Sequence, residues 1–215
     1  MAAELQHSDE KGPSPRAIMP PYLVLRGFLD EDTAAGLLAY TLGRQSEFTP
    51  SRLGSKQVDE SFRVSSVIRE LGEYRARLET RIFGLLPRLV AELGTPPIEA
   101  ATLETELVAH GDGAFYKRHT DTQTARYNEV DKIRVLSGVY YFHAEPKAFS
   151  GGALRLYAVG GTAGENFVDI EPVHNSLLVF PSWAPHEVMP VRCPSKRFAD
   201  SRFAVNCWIR RPKAR

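Results

Sequence analysis

Cysteine is scarce in this chain. The two present among 215 residues, Cys193 and Cys207, form neither a C-x-x-C pair nor a larger framework, which argues against a disulfide scaffold and a thiolate zinc site. An excess of charge is missing too: 27 Lys and Arg against 26 Asp and Glu leave a formal net charge of +1, with no global field to gather nucleic acid or a membrane surface. No apolar run approaches the roughly 18 residues of a bilayer crossing. The opening M-A-A-E-L-Q-H-S-D-E-K-G has no secretory apolar core. These absences predict a soluble, cytoplasmic protein with no membrane partner, and they weigh against nucleic acid.

What is present reads as one folded unit with a tail. Residues 1–18 are polar, rich in Ser, Pro and mixed charge, and are expected to be a disordered tail. Residues 19–215 are expected to form a single domain, with helical support over about 19–97 and a β core over about 100–211. Tyr22 to Leu29 has strand composition, and D-E-D-T after it opens a helix running from about Asp32 to Gly43. Ser46 to Asp59 is loop-like. Val67 to Leu93 reads mostly helical, with Leu71, Leu78, Ile82, Leu85 and Leu89 at roughly helical spacing, and Gly94, Pro96 and Pro97 stop it.

Beyond Pro97 the texture changes to short apolar segments broken by G-D-G, S-G-G and V-G-G turns. Strands are predicted near 101–109, 114–120, 132–142, 152–157, 167–171, 176–180, 186–192 and 201–210. Eight short strands in so few residues imply an α+β protein built on a double-stranded β-helix, or jelly roll, with supporting N-terminal helices.

The chemistry gathers at A-H-G-D-G-A-F-Y-K-R-H-T-D, residues 109–121. Side chains alternate along a strand, so His119 and Asp121 point one way and Thr120 the other. With His186, in W-A-P-H-E-V, they make the two-histidine, one-carboxylate set that holds non-haem Fe(II) and leaves coordination positions open. An H-x-D triplet alone is common, and His110-Gly111-Asp112 is a second one. Its glycines mark a turn rather than a ligand platform, which leaves His110 as a pocket-lining or turn histidine. His143 and His174, near strand ends, read as hydrogen-bonded structural residues. On the last strand Arg202, Ala204, Asn206 and Trp208 share a face, an odd set unless that face lines a polar pocket. An inward arginine suits a carboxylate.

With these residues in place the chain resembles the Fe(II)- and 2-oxoglutarate-dependent dioxygenases, in their prolyl 4-hydroxylase branch. The resemblance spans roughly Glu106 to Arg210 through Y-x-x-H-x-D at 116–121, R-V-L-S-G-V-Y-Y at 134–141, S-G-G-A-L-R at 150–155, P-H-E-V-x-P at 185–190 and R-F-A-V-N-C-W at 202–208. It implies iron ligation by His119, Asp121 and His186, and 2-oxoglutarate binding by Arg202 and Tyr141. It implies substrate contacts from Tyr116, Arg134 and Trp208, as in the oxygen-sensing prolyl hydroxylases of animals, and a loop closing over substrate at Thr122 to Asp131. Fe(II), 2-oxoglutarate and O2 are the implied cofactors, with ascorbate as a permitted accessory. The implied activity is hydroxylation of an unactivated C–H bond, foremost of a prolyl residue in a protein or peptide, with a free amino acid or small natural product as the alternative substrate. The long gap R-C-P-S-K-R-F-A-D-S after Val191 leaves Lys196 and Arg197 as competitors of Arg202, and Asn206 is placed to hold a water near the metal.

Overall fold

The computed structural model describes residues 17–51, 58–122, 132–160 and 166–213. Of the tail expected over residues 1–18 only Ala17 and Ile18 are described, Ile18 in an antiparallel bridge with Val159, and of the closing loop expected at 122–131 only Thr122 is described. No helix among the described residues is long and apolar enough to cross a membrane.

Strand β1 (Leu23–Arg26) leads into helix α1 (Glu31–Gly43). Asp30 caps this helix, accepting hydrogen bonds from the Thr33 N–H and hydroxyl at 2.8 and 2.7 Å. Three short strands follow, β2 (Thr49–Pro50), β3 (Arg63–Val64) and β4 (Ser66–Ile68), then helix α2 (Tyr74–Glu92). The second helix therefore begins seven residues later than its apolar spacing suggested. Val67 and Ile68 belong to β4, which pairs with residues 107–109, and Gly72, at a φ of +53°, turns the chain before α2 can start.

The remainder is β: β5 (Thr102–His110), β6 (Phe115–His119), β7 (Lys132–Phe142), β8 (Ser150–Gly151), β9 (Leu154–Tyr157), β10 (Phe167–Ile170), β11 (Ser176–Pro181), β12 (His186–Val188), β13 (Val191–Arg192) and β14 (Arg202–Pro212). The segment expected as one strand over 186–192 is two strands. Pro190, without an N–H, parts β12 from β13, and they join different sheets.

Two antiparallel sheets form a jelly roll. The larger has the order β1-β11-β7-β14-β5-β4-β2, the smaller β10-β9-β12-β6-β3. Helix α2 supports the larger sheet from outside. Its Leu78, Ile82 and Leu89 are buried in one cluster with Leu107, Phe142, Phe203, Val205 and Cys207. The alternate residues of the same strands face the smaller sheet, where Val139, Tyr141 and Ala204 pack with Leu154, Leu156, Phe180 and Ala184. One face of β14 thus serves the helices and the other the interior between the sheets.

Asn175 ties the N-terminal segment to this framework. It sits at a φ of +49°, tolerable for asparagine. Its side chain accepts from the Leu29 N–H and the Tyr140 hydroxyl at 2.9 and 3.0 Å and donates to the Leu29 carbonyl at 2.8 Å. Asn175→Ala leaves three buried groups without partners and is expected to destabilise the fold by about 3 kcal/mol, read as a lowered denaturant midpoint with an unchanged slope.

Candidate metal centre and cosubstrate pocket

His119 ends β6 and His186 opens β12, and the two are directly paired across neighbouring strands with ring centroids 4.3 Å apart. Asp121 lies just beyond β6, its backbone N–H donating to the Ser182 carbonyl at 2.9 Å. Its carboxylate is 3.8 Å from Nε2 of His119 and 3.7 Å from Nε2 of His186, and one ligand atom from each residue lies within 4.8 Å of the others. The three residues singled out in the sequence therefore converge.

Their orientation suits a metal. Nδ1 of His119 is 2.8 Å from the Lys117 carbonyl and Nδ1 of His186 is 2.9 Å from the Ala184 carbonyl. A carbonyl only accepts, so each Nδ1 carries a proton, which leaves each Nε2, facing Asp121, as the nitrogen placed to ligate. Burial, followed by the neighbouring His186, pushes the His119 imidazole down to about 3, so it is neutral near pH 7. Burial works against the Asp121 carboxylate, but His186, His119 and the hydroxyl of Ser137 outweigh it and hold its pKa below the ordinary value. Ser137 donates to Oδ2 of Asp121 at 2.7 Å and is 2.9 Å from the Ser182 hydroxyl.

Arg202, 1% exposed, begins β14 inside the sandwich. Its Nε donates to the Gly152 carbonyl at 2.8 Å, its Nη1 is 3.1 Å from Nδ1 of His110, and its guanidinium lies 4.8 Å from the centre of the Tyr141 ring. Nη2 of Arg202 and the hydroxyl of Tyr141 are both buried with no hydrogen-bond partner. Two orphaned donors beside each other, one of them cationic, suit the carboxylate of a dicarboxylic oxo acid. Burial pushes the Arg202 guanidinium below its ordinary pKa, and burial pushes the Tyr141 hydroxyl up to about 12 against the pull of Arg202. Gly152, at a φ of +71°, makes the pocket possible, because a Cβ there would stand 2.7 Å from Cδ of Arg202. The rival Arg197 is turned outward, 73% exposed, and pairs with Asp200 at 2.8 Å. Lys196 is exposed as well.

The three residues expected at the substrate also cluster here. Tyr116 stacks on His119 with centroids 3.6 Å apart, and the Arg134 guanidinium lies 3.7 Å from the centre of the Trp208 ring and 4.0 Å from Oδ1 of Asp121. Sequence reading passed over the groups that hold them. Glu104 takes Arg134 at 2.5 and 3.1 Å, and Arg63, over the Tyr116 ring at 4.8 Å, pairs with Glu106 at 2.9 Å. The period of β5 was the available signal, since Glu104, Glu106 and His110 alternate onto the face that Trp208, Asn206 and Arg202 share across the ladder. Asn206, half-buried, lies on that face.

The other histidines are held differently. Asp112 caps the Cys193 N–H at 2.9 Å, so the second H-x-D triplet is a turn. His143, Glu145 and His174 also lie close together, but Nδ1 of His174 already accepts the His143 N–H at 3.2 Å and Nδ1 of His143 bonds the Ala144 carbonyl at 3.0 Å.

Comparison with known proteins agrees with this geometry. Residues 105–210 match the family model of the 2OG-Fe(II) oxygenase superfamily. An uncharacterized PKHD-type hydroxylase from Synechocystis is 36% identical over 197 residues, covering 88% of this chain, and the chain spans 63% of that relative's length. Among solved structures, a prolyl-4-hydroxylase from Pseudomonas putida superposes with a TM-score of 0.64 at 24% identity, covering 90% of this chain and 94% of that one. A Trichoplax adhaerens prolyl hydroxylase, in complex with a peptide fragment of the hypoxia-inducible factor oxygen degradation domain, gives 0.66 at 22% identity, over 88% and 83% of the two chains. These two likenesses speak for the jelly-roll fold. The converging His119, Asp121 and His186 and the buried Arg202 all fall inside the matched span, and residues 105–210 belong to the 2OG-Fe(II) oxygenase superfamily.

Proposed function

We propose that the protein is an Fe(II)- and 2-oxoglutarate-dependent hydroxylase acting on a prolyl residue of a protein or peptide. The observation that carries the cofactor assignment is the pairing of two features linked by β7, which carries both Ser137, bonded to Asp121, and Tyr141. One is a set of two Nε2 atoms and a carboxylate within 4.8 Å; the other is the orphaned pair of donors at Arg202 and Tyr141.

In this reading His119, Asp121 and His186 hold the metal, and Arg202 and Tyr141 hold the far carboxylate of 2-oxoglutarate. When bound, Fe(II) with 2-oxoglutarate and O2 supplies the oxidising power to exchange a C–H hydrogen for hydroxyl, with succinate and carbon dioxide as co-products. The chain supplies the rest. The Lys117 and Ala184 carbonyls keep both imidazoles in the ligating tautomer, Ser137 fixes the Asp121 carboxylate, and the packed interior around Tyr141, Leu156 and Phe180 excludes water.

The charges beside the metal site support a peptide over a free amino acid. A free amino acid brings a carboxylate and an ammonium that need partners once desolvated. Among the described residues flanking the site, Arg134 is engaged by Glu104 and Arg63 by Glu106, so the surroundings are charge-compensated and polar. Such a mouth suits the neutral amides of a peptide. The Trichoplax prolyl hydroxylase, solved with a peptide fragment, accords with this reading, and the Pseudomonas structure is named for prolyl hydroxylation.

Anaerobic titration with Fe(II) and 2-oxoglutarate is expected to raise a weak visible charge-transfer band, and Arg202→Ala to require at least about a hundredfold more 2-oxoglutarate for the same band. Ser137→Ala, which leaves the three ligands in place, is expected to weaken Fe(II) binding by about tenfold to a hundredfold. With O2 and a library of proline-containing peptides, mass spectrometry is expected to find the gain of one oxygen on proline. Turnover of free amino acids with no peptide modified would replace the peptide reading by the small-molecule one.

A further inference from the structure

Resting on the 2-oxoglutarate reading, we infer that His110 is a positioning residue for the cosubstrate clamp: its Nδ1 lone pair fixes the Arg202 guanidinium so that Nη2 is aimed at the carboxylate to be bound. His110 and Arg202 stand directly opposite each other on β5 and β14, and both are buried, at 4% and 1% exposure. A guanidinium has hydrogens to donate and nothing to accept with, so the atom facing it must be an acceptor. Nδ1 of His110, 3.1 Å from Nη1, is therefore the unprotonated nitrogen, and the proton resides on Nε2.

This tautomer is the reverse of that in the two metal-facing histidines, whose Nδ1 atoms meet carbonyl oxygens. The environment keeps it so. Burial first, then the positive charges of Arg202 and Arg63, push the His110 pKa well below its ordinary value, so the ring stays neutral and keeps its acceptor.

The geometry of the guanidinium gives this contact its consequence. The group is planar and its three nitrogens are rigidly related. The Gly152 carbonyl holds Nε and His110 holds Nη1, which leaves Nη2 as the one nitrogen without a partner, fixed in direction by the other two. A buried arginine released from one of these anchors recovers rotamer freedom that ligand binding must then remove. Affinity for 2-oxoglutarate thus depends on a residue that need not touch it.

The test compares His110→Phe, which keeps the ring and removes the acceptor, with His110→Asn, whose amide oxygen takes the place of Nδ1. In the anaerobic titration His110→Phe is expected to need at least about tenfold more 2-oxoglutarate, with the Fe(II) requirement and kcat at saturating 2-oxoglutarate within about threefold of wild type, and His110→Asn to recover most of the loss. In wild type, 15N spectra of the imidazole are expected to show Nδ1 unprotonated and Nε2 protonated at neutral pH, a reading independent of catalysis and of the variants' folding. Unchanged 2-oxoglutarate binding in His110→Phe, or a protonated Nδ1, would overturn the inference while leaving the functional reading intact. Absence of 2-oxoglutarate binding in wild type itself would overturn the functional reading, and this inference with it.

Discussion

A guanidinium almost wholly removed from water, with no carboxylate in ion-pair contact among the described residues, is the constraint on which the interior of this protein turns. An isolated buried cation is costly, and the structure offsets the cost in pieces: a carbonyl on Nε, an imidazole lone pair on Nη1, an aromatic face near the guanidinium carbon. Each piece dictates a residue. The carbonyl needs a close-approaching backbone and hence glycine at 152, the lone pair needs a neutral histidine at 110, and the face needs the tyrosine at 141. The unspent capacity of the group, at Nη2, is then available to a ligand that brings its own negative charge.

The metal-facing side shows the complementary economy. The His119 imidazole is neutral near pH 7 and the Asp121 carboxylate is ionised, so a negative charge is aimed at a small space bordered by two Nε2 atoms. A divalent cation relieves both the burial of that charge and the crowding of those two atoms. The smaller sheet supplies the histidines and the larger sheet the hydroxyl that orients the carboxylate, while β14, beside β7 in the larger sheet, carries Arg202 at one end and Trp208 farther along.

Much of this was legible in the sequence because it depends on period and spacing. Alternation placed His119 beside Asp121 and placed Arg202, Asn206 and Trp208 on one face, and the strand boundaries of the β core fell within a few residues of those expected. What was not legible depends on chain reversal and on contacts between distant segments. Val67 and Ile68 continue an apolar pattern that suits a helix, yet they pair with β5 because a free edge was available there. Nothing local separates β12 from β13 except one missing N–H at Pro190. The period of β5 set Glu104 on the pocket face, but its pairing with Arg134, and the place of Arg63 over Tyr116, could not be read: a charged residue on a strand reads as solvated until the strand opposite it is known.

The hydroxyl contact between Ser137 and Asp121 has a mechanical side. His119 and His186 are neighbours on adjacent strands of the smaller sheet and move as one body, whereas Asp121 is fastened to Ser137 of β7 and to Ser182 just past β11, both at the larger sheet. A metal coordinated by all three would act as a rivet through the sandwich, joining layers that otherwise meet through apolar contact and through the Arg63–Glu106 ion pair. Opening of the sheets at that end and release of the metal then become one event. Whatever binds the metal more tightly also closes the seam, and a chelator works as a wedge.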